Sequence, residues 1–282
     1  TTGTANVALG YGALSAEDAH GHNVAIGYHA LVAQNAGANG YNVAIGSAAG
    51  SSISTATSNV LIGGLAGDAL TTGGSNVAIG HQALSAEDTH GTNVAIGYQS
   101  LLVQDAGANA YSVAVGYAAG SSISTGVENV LIGGNAGDAL TSGAYNIAIG
   151  RNALGSEDAH GRNVAIGHAA LATQNVGADG YNVAIGMNAG TAITTSAYNV
   201  LIGGKVGDSL TTGGGNTAIG YQALSSEDEG NNNVAVGFNA LVNMNAGADA
   251  YATAVGYNAG GAITTGIRNT MVGGLAGDAV TT

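Results

Sequence analysis

The sequence predicts an all-β fold, a parallel β-solenoid, and three observations predict it. First, a five-residue core typified by Asn-Val-Ala-Ile-Gly recurs sixteen times. Its copies start at Asn6, Asn23, Asn42, Asn59, Asn76, Asn93, Ser112, Asn129, Asn146, Asn163, Asn182, Asn199, Asn216, Asn233, Ala252 and Asn269. Second, the spacing between copies runs 17, 19, 17, 17 and then repeats. The sixteen rungs thus fall into four 70-residue super-repeats, 1–70, 71–140, 141–210 and 211–280, within one repeat array covering 1–282. Third, 50 glycines, no proline and 45% hydrophobic content describe tight turns between short apolar strands. Collagen and plain disorder have other compositions.

Each rung opens on a strand. The second and fourth positions of the core are branched and apolar (Val24 and Ile26, Val43 and Ile45), and the third is small (Ala25, Ala44), which is a period-two β pattern. The fifth position is glycine in all sixteen copies, as at Gly10, Gly27, Gly46 and Gly63. A corner with positive φ or a close backbone approach excludes a side chain there. Three residues on, alanine returns (Ala13, Ala30, Ala49, Ala66), followed by Leu14 or Leu31 in two rungs and by Gly50 or Gly67 in the next two. A second short strand is expected at that point. Loops rich in Ser, Thr, Asn, Asp and Gly close the rung.

Such a rung cannot bury its apolar residues alone. Stacking copies about 4.8 Å apart sets Val over Val and Ile over Ile, and sixteen rungs then span about 75 Å. Asparagine enters the strand in fourteen of sixteen copies, which predicts a ladder of stacked side-chain amides along the axis. The expected core is the Val/Ile pair. The middle residues, Ala8, Ala25, Ala44 and Leu61 among them, are then left as an apolar strip on the opposite side, where small side chains let identical chains approach.

Charge and composition exclude several function classes. Four basic residues against seventeen acidic ones give a formal charge of −13, which argues against nucleic acid as a partner. With no cysteine, neither disulfides nor thiolate metal sites hold the fold. No apolar run reaches the length of a membrane span. No Ser, His and Asp recur in a fixed relation, and the glycine-rich phrases lack the lysine of a phosphate loop, so no enzyme is expected. An ice-binding face needs a regular threonine array, and Thr71-Thr72 or Thr194-Thr195 occur in only some rungs. The two ends are in phase with the repeat, Thr1-Thr2-Gly3 matching Thr71-Thr72-Gly73. The expectation is a window of a longer array.

The phrases "NVAIGYHAL" (residues 23–31), "NVAIGHQAL" (76–84) and "NVAVGFNAL" (233–241) resemble the head repeats of trimeric autotransporter adhesins of the YadA-like kind and related bacteriophage tail-fibre repeats. The resemblance covers every rung. It implies a left-handed parallel β-roll, a homotrimer around a common axis, and display outside the cell for attachment. The rungs here are longer than is typical of those heads, and a longer rung also suits a three-sided solenoid closed within one chain.

Two loop sets carry candidate ligands. The first-rung loop holds Glu17, Asp18 and His20, and again Glu87, Asp88 and His90, Glu157, Asp158 and His160, and Glu227, Asp228 and Glu229. Carboxylates beside an imidazole suit a divalent cation, and a solvated acidic loop is the alternative. Copies four rungs apart lie about 19 Å from one another and share no ligands. The longer second-rung loop alternates Asn and Asp around glycine, with Asp105 and Asn109, Asp179, and Asp249, a pattern that suits calcium or simply turns. No other cofactor is expected. Tyr41, Tyr111, Tyr181 and Tyr251 precede strands, and Tyr11, Tyr28, Tyr98 and Tyr221 follow corner glycines; packing or glycan contact suits such rows.

The expected function is a structural and adhesive segment of an extracellular fibre or filament on a cell or virion surface. Its partners are copies of itself, as a homotrimer or joined end to end, and a surface ligand met by the outward loops. A bacteriophage tail-fibre shaft and a secreted calcium-binding repeat module are the alternatives.

Overall fold

A computed structural model describes residues 3–17, 19–247 and 249–282. Asp18 lies outside the described residues. The chain forms two compact units, Thr1–Ala144 and Tyr145–Thr282. The first contains β1 (Val7–Leu9), β2 (Val24–Ile26), β3 (Val43–Ile45), β4 (Val60–Ile62), β5 (Val77–Ile79), β6 (Val94–Ile96), β7 (Val113–Val115) and β8 (Val130–Ile132). The second contains β9 (Ile147–Ile149), β10 (Val164–Ile166), β11 (Val183–Ile185), β12 (Val200–Ile202), β13 (Thr217–Ile219), β14 (Val234–Val236), β15 (Thr253–Val255) and β16 (Thr270–Val272). Within each unit every strand pairs in parallel with the next, making an all-β solenoid of eight turns. Among the described residues there is no helix, hence none long and apolar enough to cross a membrane.

The register sets like on like. Val24 pairs with Val43, Ala25 with Ala44 and Ile26 with Ile45. Hydrogen bonds run from rung to rung, as from Val24 N–H to the Asn42 carbonyl (2.8 Å) and from Gly46 N–H to the Ile26 carbonyl (2.8 Å). The strand ends at a corner glycine: Gly27 has φ +138°, and a Cβ there would lie 2.3 Å from the Gly46 carbonyl oxygen. One glycine thus stacks on another, and neither can carry a side chain.

Two expectations need correcting. In place of a second strand, the segment after the corner is a run of turns in which left-handed residues recur, His29 at φ 54° and Leu31 at φ 49°. These bends turn Ala30 and Leu31 inward together, and both are fully buried.

The second correction reverses inside and outside. Ala25, Ala44 and Leu61, read as an interface strip, are wholly buried, while Val24, Ile26, Val43 and Ile45 are only half-buried. Ala8 is exposed with the rest of its strand in the first rung. The reason is the narrowness of the rung. Its interior is filled by Ala25, Ala30 and Leu31 in one rung and by Ala44, Ala49 and Ile53 in the next, so the strand's inward position has room for a methyl group. Leu61 fits only because Gly50 and Gly67 face it; a Cβ on Gly50 would sit 2.7 Å from Leu61 Cδ1, and one on Gly67 would sit 2.8 Å from Leu61 Cδ2. Fully burying one leucine contributes about 1.5–3 kcal/mol, and each rung contributes one or two such side chains.

Candidate functional surfaces

The asparagine column fixes the edge of the strand face. The N–H of Asn42 donates to Asn23 Oδ1 (3.1 Å), that of Asn59 to Asn42 Oδ1 (3.0 Å), that of Asn76 to Asn59 Oδ1 (2.9 Å) and that of Asn93 to Asn76 Oδ1 (3.0 Å). Asn23 N–H donates likewise to Asn6 Oδ1. The side-chain nitrogen turns to the loop instead, Asn59 Nδ2 donating to the Gly73 carbonyl (3.0 Å) and Asn42 Nδ2 to the Ala56 carbonyl (2.8 Å). Amide-to-amide bonds accompany these at some rungs, as from Asn59 Nδ2 to Asn42 Oδ1. The column therefore ties side chain to backbone of the neighbouring rung, and both to the loop. All of it is buried from Asn23 onward through Asn93, so it offers nothing to a ligand.

The strand face itself looks outward. In each unit it presents two columns of β-branched side chains, such as Val60, Val77 and Val94 beside Ile62, Ile79 and Ile96, all half-buried. Aromatic columns flank it. Past the corner glycine, Tyr98 and Tyr117 stack at 5.4 Å, and Tyr221, Phe238 and Tyr257 stack at 5.5 and 5.6 Å. Before the strand, His22 stacks on Tyr41 (5.0 Å) and Tyr181 on Tyr198 (5.6 Å). The rings face one another along the stack, so they show solvent their edges rather than the open faces that a sugar ring would cover. Arg162 lies over Tyr145 and Tyr181 and pairs with Asp179.

The acidic loops are less solvated than their composition suggests. Glu87, Glu157 and Glu227 are fully buried, and Glu17 is nearly so. Each accepts the N–H of the residue three positions on, closing the loop: His20 to Glu17 (2.9 Å), His90 to Glu87 (3.0 Å), His160 to Glu157 (3.3 Å) and Gly230 to Glu227 (2.9 Å). Their place in the rung, eleven residues after the asparagine, is the one that Ile53 and Leu70 fill elsewhere. It is an interior position.

The second-rung carboxylates and amides mostly cap turns. Asn109 Oδ1 accepts the Gly91 N–H (3.0 Å), Asp179 Oδ1 accepts the Gly161 N–H (3.1 Å), and Asp249 accepts from Asn231 Nδ2 and the Tyr251 hydroxyl. These three join no cluster of ligands with the first-rung loops among the described residues. Asp105 does: it comes together with Glu87, Asp88 and His90, and a smaller group forms from Glu157, Asp158 and His160.

Burial raises the pKa of Glu227 above its ordinary value of 4.5, against hydrogen bonds from Ala246, Gly230 and Asp228 that lower it; the Asp228 charge adds to the rise. A folded-state value above the unfolded one contributes stability that is complete below about pH 4.5 and is lost as pH rises through the folded value. Glu227→Gln is therefore expected to stabilise the fold at pH 8, by on the order of 1 kcal/mol. The gain over wild type should vanish at pH 4, as measured by denaturant unfolding at both values. A constant gain at both would assign the effect to packing rather than charge.

Compared with family models, curated proteins and solved structures, the chain matches none of them.

Proposed function

We propose that this chain is a structural and adhesive segment of an extracellular fibre on a cell or virion surface, whose identical copies associate through the outward Val/Ile face. The supporting observation is that face: two columns of half-buried β-branched residues, flanked by aromatic stacks, with no described element of either unit packed across it. A continuous apolar surface of this kind favours contact with another protein surface over water. The contact moves from the alanine strip, which is interior, to the Val/Ile columns. In this reading the finer architecture is a left-handed β-roll of three chains, repeating its loops every 70 residues. Weak loop contacts with a target surface then add through multivalency.

Static light scattering on a sizing column tests it, with Val77→Asp/Ile96→Asp as the comparison. The expected result is a trimer for the wild type and a monomer for the variant, with unchanged far-UV circular dichroism. A wild-type monomer at micromolar concentration, or a variant that still associates, would remove the Val/Ile face from the assembly. An open-ended distribution of masses would mean that the ends, rather than this face, join.

A further inference from the structure

Asp88 and Asp105 each stand twelve residues after their strand-entry asparagine, Asn76 and Asn93, so stacking of the two rungs sets one carboxylate beside the other. Glu87 and His90 complete the group, and one ligand atom from each of the four lies within 4.8 Å of all the others. Three carboxylates at this distance repel unless a cation joins them. The chain's four lysines and arginines, Arg151, Arg162, Lys205 and Arg268, all belong to the other unit; the Thr89 hydroxyl lies 3.0 Å from His90 Nδ1.

A second observation sits at Glu87 itself. The side chain is wholly buried, and its Oε2 has no hydrogen-bond partner. In two of the three equivalent loops that oxygen is satisfied: Glu157 Oε2 accepts Gln174 Nε2 (3.1 Å) and the Val176 N–H (3.3 Å), and Glu227 Oε2 accepts the Ala246 N–H (3.3 Å). Above Glu87 the stacked glutamine, Gln104, turns away and donates to the Ser124 and Gly126 carbonyls. A buried carboxylate is thus left short of a partner where a fourth ligand has arrived. Glu17 Oε2 is unpartnered too, but the residue stacked in its second rung is Asn35, not an aspartate.

We infer that Glu87, Asp88, His90 and Asp105 form a site for one divalent first-row transition-metal ion per chain, zinc being the type case. One imidazole nitrogen and three carboxylate oxygens make a four-donor set suited to such an ion, whereas calcium takes six to eight oxygens. The position of Asp105 decides the count, because the matching residues in the other second rungs are Asn35, Asn175 and Asn245.

The experiment is a calorimetric titration of chelator-treated, dialysed full chain with zinc alone, repeated with calcium, and with cobalt followed by its visible absorption. The wild type should bind one zinc and give the intense bands of four-coordinate cobalt. Asp105→Asn, which installs the residue that its counterparts already carry, should fold normally and weaken zinc at least tenfold. Asn175→Asp, which gives Glu157, Asp158 and His160 their fourth member, should raise the count to two. Absence of zinc binding at micromolar concentrations, unchanged affinity in Asp105→Asn, or equal calcium binding by all four acidic loops would each overturn the assignment. The result is independent of self-association, since the cluster lies in the loops and not on the Val/Ile face.

Discussion

Replacing Gly97 by alanine should unfold the array locally and cost about 4 kcal/mol or more, at the upper end of what one methyl group does in a protein. Gly97 has φ +137°, and a Cβ there would lie 2.2 Å from the carbonyl oxygen of Gly116 and 2.6 Å from its carbonyl carbon. Those atoms are backbone, so no rotamer change relieves the clash, and the conformation is one that L residues avoid. Moving the two rungs apart would break the bond from Gly116 N–H to the Ile96 carbonyl. Gly134→Ala is the control: its added Cβ meets nothing within 4 Å, and stability should change by less than about 0.5 kcal/mol. Denaturant unfolding of the two variants, with hydrogen exchange to locate the damage, separates them. Equal stability of the two would mean that the glycine column does not set the rung spacing.

The second large effect is expected at Asn59. Its Oδ1 accepts the Asn76 N–H, its Nδ2 donates to the Gly73 carbonyl, and its own N–H is held by Asn42 Oδ1. Asn59→Ala strands a buried donor and a buried acceptor at about 1–3 kcal/mol each, so a loss of about 3–5 kcal/mol is expected. Serine stands in the same column at Ser112, where its Oγ reaches only the Ala110 carbonyl at 3.5 Å, so Asn59→Ser should relieve little of the loss. Faster exchange of the Asn76 amide in Asn59→Ala would tie the loss to that donor. If unfolding energy falls while that amide stays protected, the cavity and not the hydrogen bond is responsible.

Much of the fold is legible in the sequence, because a stacked architecture repeats its local rules. The strand positions follow from the recurring core, and the corners from glycine. The direction of each side chain is not legible in the same way. A period-two pattern says that Val24 and Ala25 face opposite sides and leaves open which side is inner. Size favours the larger pair as core, and the narrow rung overrules it. The signal that resolves the choice lies across the rung: the large middle residue Leu61 keeps company with Gly50 and Gly67, and Leu131 with Gly120 and Gly137. A trade of volume between two positions has meaning only if both point into the same space.

The acidic loops show the same limit. Glu17 and Glu87 look solvated by composition, yet they stand at the rung position of Ile53 and Leu70. Aligning rungs rather than super-repeats would have shown it. The pairing of Asp88 with Asp105 is hidden for a related reason. Loops four rungs apart are far from each other, but loops of successive rungs touch, and only one of the four super-repeats carries aspartate at both places.

The exchange of Leu61 for the side chains missing at Gly50 and Gly67 also gives the array a grammar of length. Deleting a single rung, residues 42–58 for instance, would bring the layer of Leu31 directly against that of Leu61 and crowd two leucines into space that Gly50 had kept open. Deleting or duplicating a whole set of four returns each layer to a neighbour of the kind it already has. Recombination that removes or adds a whole set of four rungs is therefore expected to preserve every packing contact, so that the length of such an array changes by whole words more readily than by letters.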